Sequence, residues 1–150
     1  MLFNTFGNPT HKTLMLIHGL GVSYQVFAPL IEYLQERYCI IAVQVDGFLI
    51  DNENKPVSSV FTSIDDQVDQ LVRHIRSAYG GHLDAAYGLS MGGCIVAKLQ
   101  ERADVTIDHV ILDAAPLVPL PRWSIDPLRY YQSFNVWCSY HMSGFFKWLF

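Results

Sequence analysis

The sequence predicts an α/β fold, a mostly parallel sheet with helices on both faces. Three observations carry that reading. Four short β-rich apolar runs, at residues 13–17, 38–45, 83–87 and 107–112, have strand length and the continuous apolar character of strands covered on both sides. Between successive runs lie segments whose apolar residues recur at helical spacing. Each run ends in a breaker or a small polar group: His18-Gly19, Asp46-Gly47, Gly88 or Asp113. Strands that alternate with helices in this way imply parallel pairing through crossover helices.

The elements follow in order. Residues 2–6 suit a short strand, and Gly7, Asn8 and Pro9 turn the chain after it. Residues 13–17 form the first buried strand, broken by His18-Gly19-Leu20-Gly21. A helix is expected from Ser23, its N-cap, with Val26, Phe27, Leu30, Ile31 and Leu34 on one face and Pro29 tightening or bending its first turns. Residues 38–45 are the next strand, and residues 48–62 a polar connection. Ser63-Ile64-Asp65-Asp66 opens a second helix in the manner of a capping box, with Ile64, Val68, Leu71, Val72 and Ile75 as its apolar stripe. Gly80-Gly81 stops it. After the strand at 83–87 comes Gly88-Leu89-Ser90-Met91-Gly92-Gly93, then a helical face of Cys94, Ile95, Val96 and Leu99. The last strand, 107–112, runs into Asp113-Ala114-Ala115-Pro116.

The composition shifts near Pro116. Residues 117–150 hold half of the aromatic side chains, including all three Trp, so the expected boundary separates a sheet core at 1–116 from a second segment at 117–150. Hydrophobic residues are 51% of the chain and charged ones 16%, which excludes a disordered polymer. A net charge of −4 with scattered Lys and Arg offers no phosphate-tracking patch, so no nucleic acid partner is expected. Three widely spaced cysteines, Cys39, Cys94 and Cys138, fit reduced thiols better than a disulfide framework, and no Cys/His cluster points to a metal. The N-terminus lacks the pattern of a signal peptide, and no apolar stretch is long enough for stable membrane insertion. The chain therefore reads as cytoplasmic.

Gly88-Leu89-Ser90-Met91-Gly92 fits the pattern G-x-S-x-G, set between an apolar strand and a helix. A strand that turns at once into a helix crowds its own backbone, and side chains at the flanking positions would clash. The turn lifts the Ser90 hydroxyl clear of the sheet at the positive end of the following helix. The backbone N–H of Met91 then points to where an oxyanion forms. His18-Gly19 follows an earlier buried strand, and the loop there can supply a second N–H, from Leu20. Several neighbours also have ordinary structural readings. Cys94 reads as a small core residue, Asp46-Gly47 as a turn, and Met91 either lines an acyl pocket or simply packs.

With these two motifs in their strand and helix contexts, the chain resembles the α/β-hydrolase fold superfamily over residues 1–116. The resemblance implies Ser90 as nucleophile and the Leu20 and Met91 amides as oxyanion hole. His18, Gly19, Gly88 and Gly92 would shape the two loops, His18 without acting as the base. Residues 117–150 would begin a cap or lid, favouring a small apolar acyl substrate, and neither a metal nor an organic cofactor is implied. In the family the nucleophile is followed by the acid and then by the His. Here His109 stands at the start of its strand and His141 lies in the aromatic run, and neither suits the base. Asp113, at the carboxyl end of the strand after that of Ser90, is the candidate acid. The catalytic His and the last strands are expected beyond Phe150, in a longer hydrolase. The strand at 107–112 would otherwise leave an apolar edge open to self-association. The competing reading is a non-catalytic binding or interaction module that uses the fold without a complete triad.

Overall fold

In the computed structural model, which describes residues 1–48 and 60–117, five strands form one sheet in the order β1-β3-β2-β4-β5. They are β1 Leu2–Phe6, β2 Lys12–Ile17, β3 Tyr38–Gln44, β4 His82–Leu89 and β5 Thr106–Asp113. β1 pairs antiparallel with β3, and all other pairings are parallel. β2 and β3 are the most apolar strands because both faces are covered: Leu14 to Ile17 and Cys39 to Gln44 are all buried. The register between β2 and β4 is pinned at its lower end. The Asp84 carboxylate accepts the Thr13 N–H (2.7 Å) and hydroxyl (2.9 Å), and the Asp84 N–H donates back to the Thr13 hydroxyl (2.8 Å).

The helices divide between the faces. α1 (Ala28–Leu34) brings Ile31 onto a cluster with Leu14, Leu16, Ile40 and Ala42. α2 (Ile64–Tyr79) and α3 (Met91–Gln100) cover the other face, where Met15, Ile17, Ile41 and Val43 meet Leu71, Ile75, Ile95 and Leu99. The Ser63 hydroxyl caps α2 by accepting the Asp66 N–H at 3.1 Å, as the capping pattern predicts. At its other end Gly80 takes the left-handed conformation (φ 63°), and the Gly81 N–H reaches back to the Ile75 carbonyl at 3.1 Å.

Two details differ from the sequence expectation. The single helix expected from Ser23 is a 3₁₀ turn at Tyr24–Phe27 followed by α1. The break places Pro29 in the first turn of α1, where its missing N–H costs no hydrogen bond; an unbroken helix would carry it in the interior. β4 and β5 also outrun their apolar runs, because His82 pairs with Thr106 and Leu89 with Asp113 in the same ladder. On β5, Ile111 (48%) and Leu112 (37%) remain exposed. Residues 118–150, with Cys138, His141 and nearly all of the expected lid, lie outside the described residues. Among the described residues no helix is long and apolar enough to cross a membrane, and no three His, Cys, Asp or Glu side chains are grouped to hold a metal.

Candidate active site

β4 ends at Leu89 and α3 begins at Met91, so one residue makes the whole reversal. That residue is Ser90, at φ 51° and ψ −113°, a region nearly closed to residues with a Cβ. Its backbone is fixed on both sides. The Ser90 N–H donates to the Asp113 carbonyl (2.8 Å), and the Ser90 carbonyl accepts from the N–H groups of Gly93 (2.9 Å) and Cys94 (3.3 Å). The flanking glycines make room for the turn. A Cβ on Gly88 would lie 2.4 Å from the Gly92 carbonyl oxygen, and one on Gly92 would lie 2.2 Å from the Ile17 oxygen and 2.7 Å from that of His18. The start of α3 therefore rests against the carboxyl end of β2. Met91 opens α3, so its N–H has no acceptor within the helix.

The loop after β2 meets the same place. Gly19 is buried, and a Cβ built there would stand 3.3 Å from the Ser90 Cβ. His18 is fully buried with both ring nitrogens engaged. The Val45 N–H, which can only donate, reaches Nε2 at 3.1 Å, so the proton sits on Nδ1 and is donated to the Gly19 carbonyl at 2.8 Å. Burial holds the His18 pKa below its ordinary value. The ring is therefore neutral, with both nitrogens committed to the main chain of the loop and of β3's end. Leu20, 54% exposed, follows directly, which sets its N–H one peptide from the Gly19–Ser90 contact.

The other sequence candidates fall as follows. Asp113 ends β5 beside Leu89, and its carboxylate accepts the Tyr87 hydroxyl. Burial, then the hydrogen bond to Asp113, push the Tyr87 phenol up to about 12. His109 lies opposite Ala85, well inside β5 rather than at its start; it stands four positions before Asp113, roughly 13 Å along a strand. Met91 is half-buried and packs against the core cluster of α2 and α3. The Cys94 thiol donates to the Pro116 carbonyl (3.6 Å), and burial raises its pKa. Asp46 is buried and accepts from Gln70 (2.8 Å), so it is a structural anchor as well as a turn residue. Sequence reasoning passed over Tyr87 and Gln44. Tyr87 stands immediately before the motif, one strand period from Leu89, and so on the same face as Leu89 and Asp113.

Residues 12–135 match the protein-family model described as alpha/beta hydrolase fold. The chain belongs to the α/β-hydrolase fold family. Solved structures agree on the fold. An α/β-hydrolase family protein from Desulfitobacterium hafniense aligns with a TM-score of 0.68 at 23% identity, over 76% of this chain and 44% of its own. A carboxylesterase structure from Nitrososphaera gargenis aligns with a TM-score of 0.72 at 16% identity, over 93% and 49%. A type II thioesterase of borrelidin biosynthesis aligns with a TM-score of 0.62 at 23% identity, over 76% and 49%. The chain thus spans less than half the length of these three structures. A search of curated proteins finds no match.

The α/β-hydrolase topology explains why two motifs some seventy residues apart meet. From β2 the chain crosses to β3 on one side, then returns past β2 to β4 on the other. The direction of winding switches between β2 and β4, and parallel α/β sheets bind ligands at the carboxyl ends of such a pair. His18-Gly19 follows β2 and Ser90 follows β4.

Proposed function

We propose that this α/β-hydrolase chain carries the nucleophile and oxyanion hole of a serine hydrolase that cleaves a carboxylic ester, or a thioester or amide, through an acyl-enzyme on Ser90. The observation that carries the reading is the strained turn at Ser90, held at the switch point against Gly19. Strain of this kind persists only where the surroundings impose it, and it clusters at reacting groups. Ser90 Oγ attacks the substrate carbonyl, and its proton passes to a histidine outside the described residues. The Leu20 and Met91 amides receive the developing oxyanion, an interaction for which the loss of one donor typically costs about 3–4 kcal/mol in the transition state. The leaving group departs with the proton, and water then attacks the acyl-Ser90 ester by the same route. Asp113 stands at the neighbouring strand end as the candidate acid. The esterase and thioesterase among the structural neighbours are consistent with this chemistry class.

A fluorophosphonate probe on the full-length protein tests the proposal. Ser90 should be labelled, and Ser90→Ala should abolish labelling. An unlabelled wild type, or labelling that survives Ser90→Ala, would overturn it and favour a non-catalytic binding module.

A further inference from the structure

Gln44 ends β3 and is almost fully buried, and its side-chain amide joins three segments. Its Oε1 accepts the Tyr24 N–H at 3.1 Å. Its Nε2 donates to His18 Nε2 at 3.0 Å and to the Val45 carbonyl at 3.3 Å. The orientation is over-determined. Tyr24 N–H can only donate, so the amide oxygen must face it and the NH₂ must face His18. That agrees with the Val45 N–H, which independently requires His18 Nε2 to be an acceptor. Among the described residues, Gln44 is the only side chain outside residues 18–24 that hydrogen-bonds this loop. It grips both ends of the loop, and Leu20 lies between the grips.

We propose that Gln44 is a positioning residue for the oxyanion hole, a clamp that fixes the path of residues 18–24 and so the direction of the Leu20 N–H. The inference deepens the serine-hydrolase reading and rests on it. A glutamine suits the task because it offers an acceptor to one end and donors to the other across a buried gap. A carboxylate would set an acceptor against the His18 Nε2 lone pair, and an apolar side chain would leave the Tyr24 N–H without its partner. The positioned donor acts on the transition state and not on ground-state binding, so its loss should fall on kcat.

The test compares wild type with Gln44→Met, close in volume but unable to hydrogen-bond. Turnover of a p-nitrophenyl ester is measured per active site titrated with a fluorophosphonate. We expect kcat per site to fall roughly 10- to 100-fold with KM little changed, short of the ~10²–10³-fold loss on deleting an oxyanion donor outright. Hydrogen exchange of residues 18–24 should quicken while that of β4 stays as in wild type. Should Gln44→Met fail to fold, Tyr24→Pro removes the N–H at one end of the clamp, at the first residue of a 3₁₀ turn where proline is accommodated; Tyr24→Ala, which loses the ring packed beside Leu16 and Phe27 but keeps the N–H, is its control, and the kcat loss is expected in the proline variant alone. An unchanged kcat per titrated site in whichever variant folds would reduce Gln44 to core filling and overturn the proposal. So would unchanged exchange in the loop. A wild type that exchanges as described but is never labelled at Ser90 would instead sink the hydrolase reading, and the oxyanion role with it.

Discussion

Replacing Ser90 with glycine should make the protein more stable than replacing it with alanine, although glycine is the more flexible residue. Ser90 sits at φ 51° and ψ −113°. Serine and alanine both carry a Cβ and share whatever strain that conformation imposes, of order 1–3 kcal/mol for a residue held outside the common regions. The Ser90 side chain makes no hydrogen bond to a described residue, so Ser90→Ala should be close to neutral. Glycine removes the Cβ and the strain, but it adds conformational freedom to the unfolded chain that opposes folding by about 0.5–1 kcal/mol. At the middle of each range, the difference leaves Ser90→Gly ahead of Ser90→Ala by about 1 kcal/mol. At about 2–4 °C per kcal/mol for a chain of this size, Tm should rise by about 2–4 °C. Urea unfolding and calorimetry of the two variants, both without the Ser90 hydroxyl, isolate the backbone effect from any chemistry. A glycine variant no more stable than the alanine variant would refute the strain argument and weaken the active-site assignment that depends on it.

Three further outcomes are expected. Gly92→Ala should destabilise the fold by about 1–3 kcal/mol or more, because its Cβ would meet the Ile17 and His18 carbonyl oxygens, which are main chain and cannot swing aside; its urea midpoint should fall with an unchanged m-value. Burial lowers the pKa of His18 and of His74 in the folded state, while the unfolded chain takes up protons below about 6.5; stability should therefore be flat above that pH and fall beneath it, by up to ~1.4 kcal/mol per pH unit from fully buried His18 until its folded-state value is reached and by less from half-buried His74, and urea unfolding at pH 7.5 and 5.5 that gives equal stability would contradict this. Tyr87 should ionise near 12 by ultraviolet titration, with Tyr87→Phe removing that step and Asp113→Asn moving it down towards the ordinary value of 10.

The parallel sheet, its strand order along the chain and the turn at Ser90 were legible in the sequence because each rests on local signals: apolar runs of strand length, helical periodicity and glycines at fixed offsets. Even the cap of α2 at Ser63 was readable. The split between the 3₁₀ turn and α1 was harder, since Pro29 announces a break without saying on which side the regular helix begins. Gln44 was invisible for a different reason. It reads as one polar residue at the end of an apolar strand, and its role exists only because residues 18 and 24 fold back over the end of β3. Tyr87 likewise looks like an ordinary strand aromatic until pairing across the ladder brings Asp113 to its hydroxyl. Long-range polar contacts leave no period in a sequence, and so the turn at Ser90 was readable while its supports were not.

Those supports explain why the strained turn does not relax. A lone residue at an unfavourable φ could rotate away if either neighbour were loose. Ser90 has no such freedom, because its N–H is tied to the Asp113 carbonyl on β5 while its own carbonyl takes the first N–H groups of α3. Moving Ser90 would therefore break a contact of the sheet or uncap a helix. α3 cannot shift to help, since Gly92 already lies against the last carbonyl of β2. On the remaining side stands Gly19, the start of the loop whose other constraints run through His18 and Gln44. Ser90 and the loop after β2 are thus restrained by one connected set of main-chain and buried side-chain contacts at the β2–β4 switch point. Substitutions at Gly92 or Gln44 should consequently be felt at Ser90, although neither residue is placed to touch a substrate.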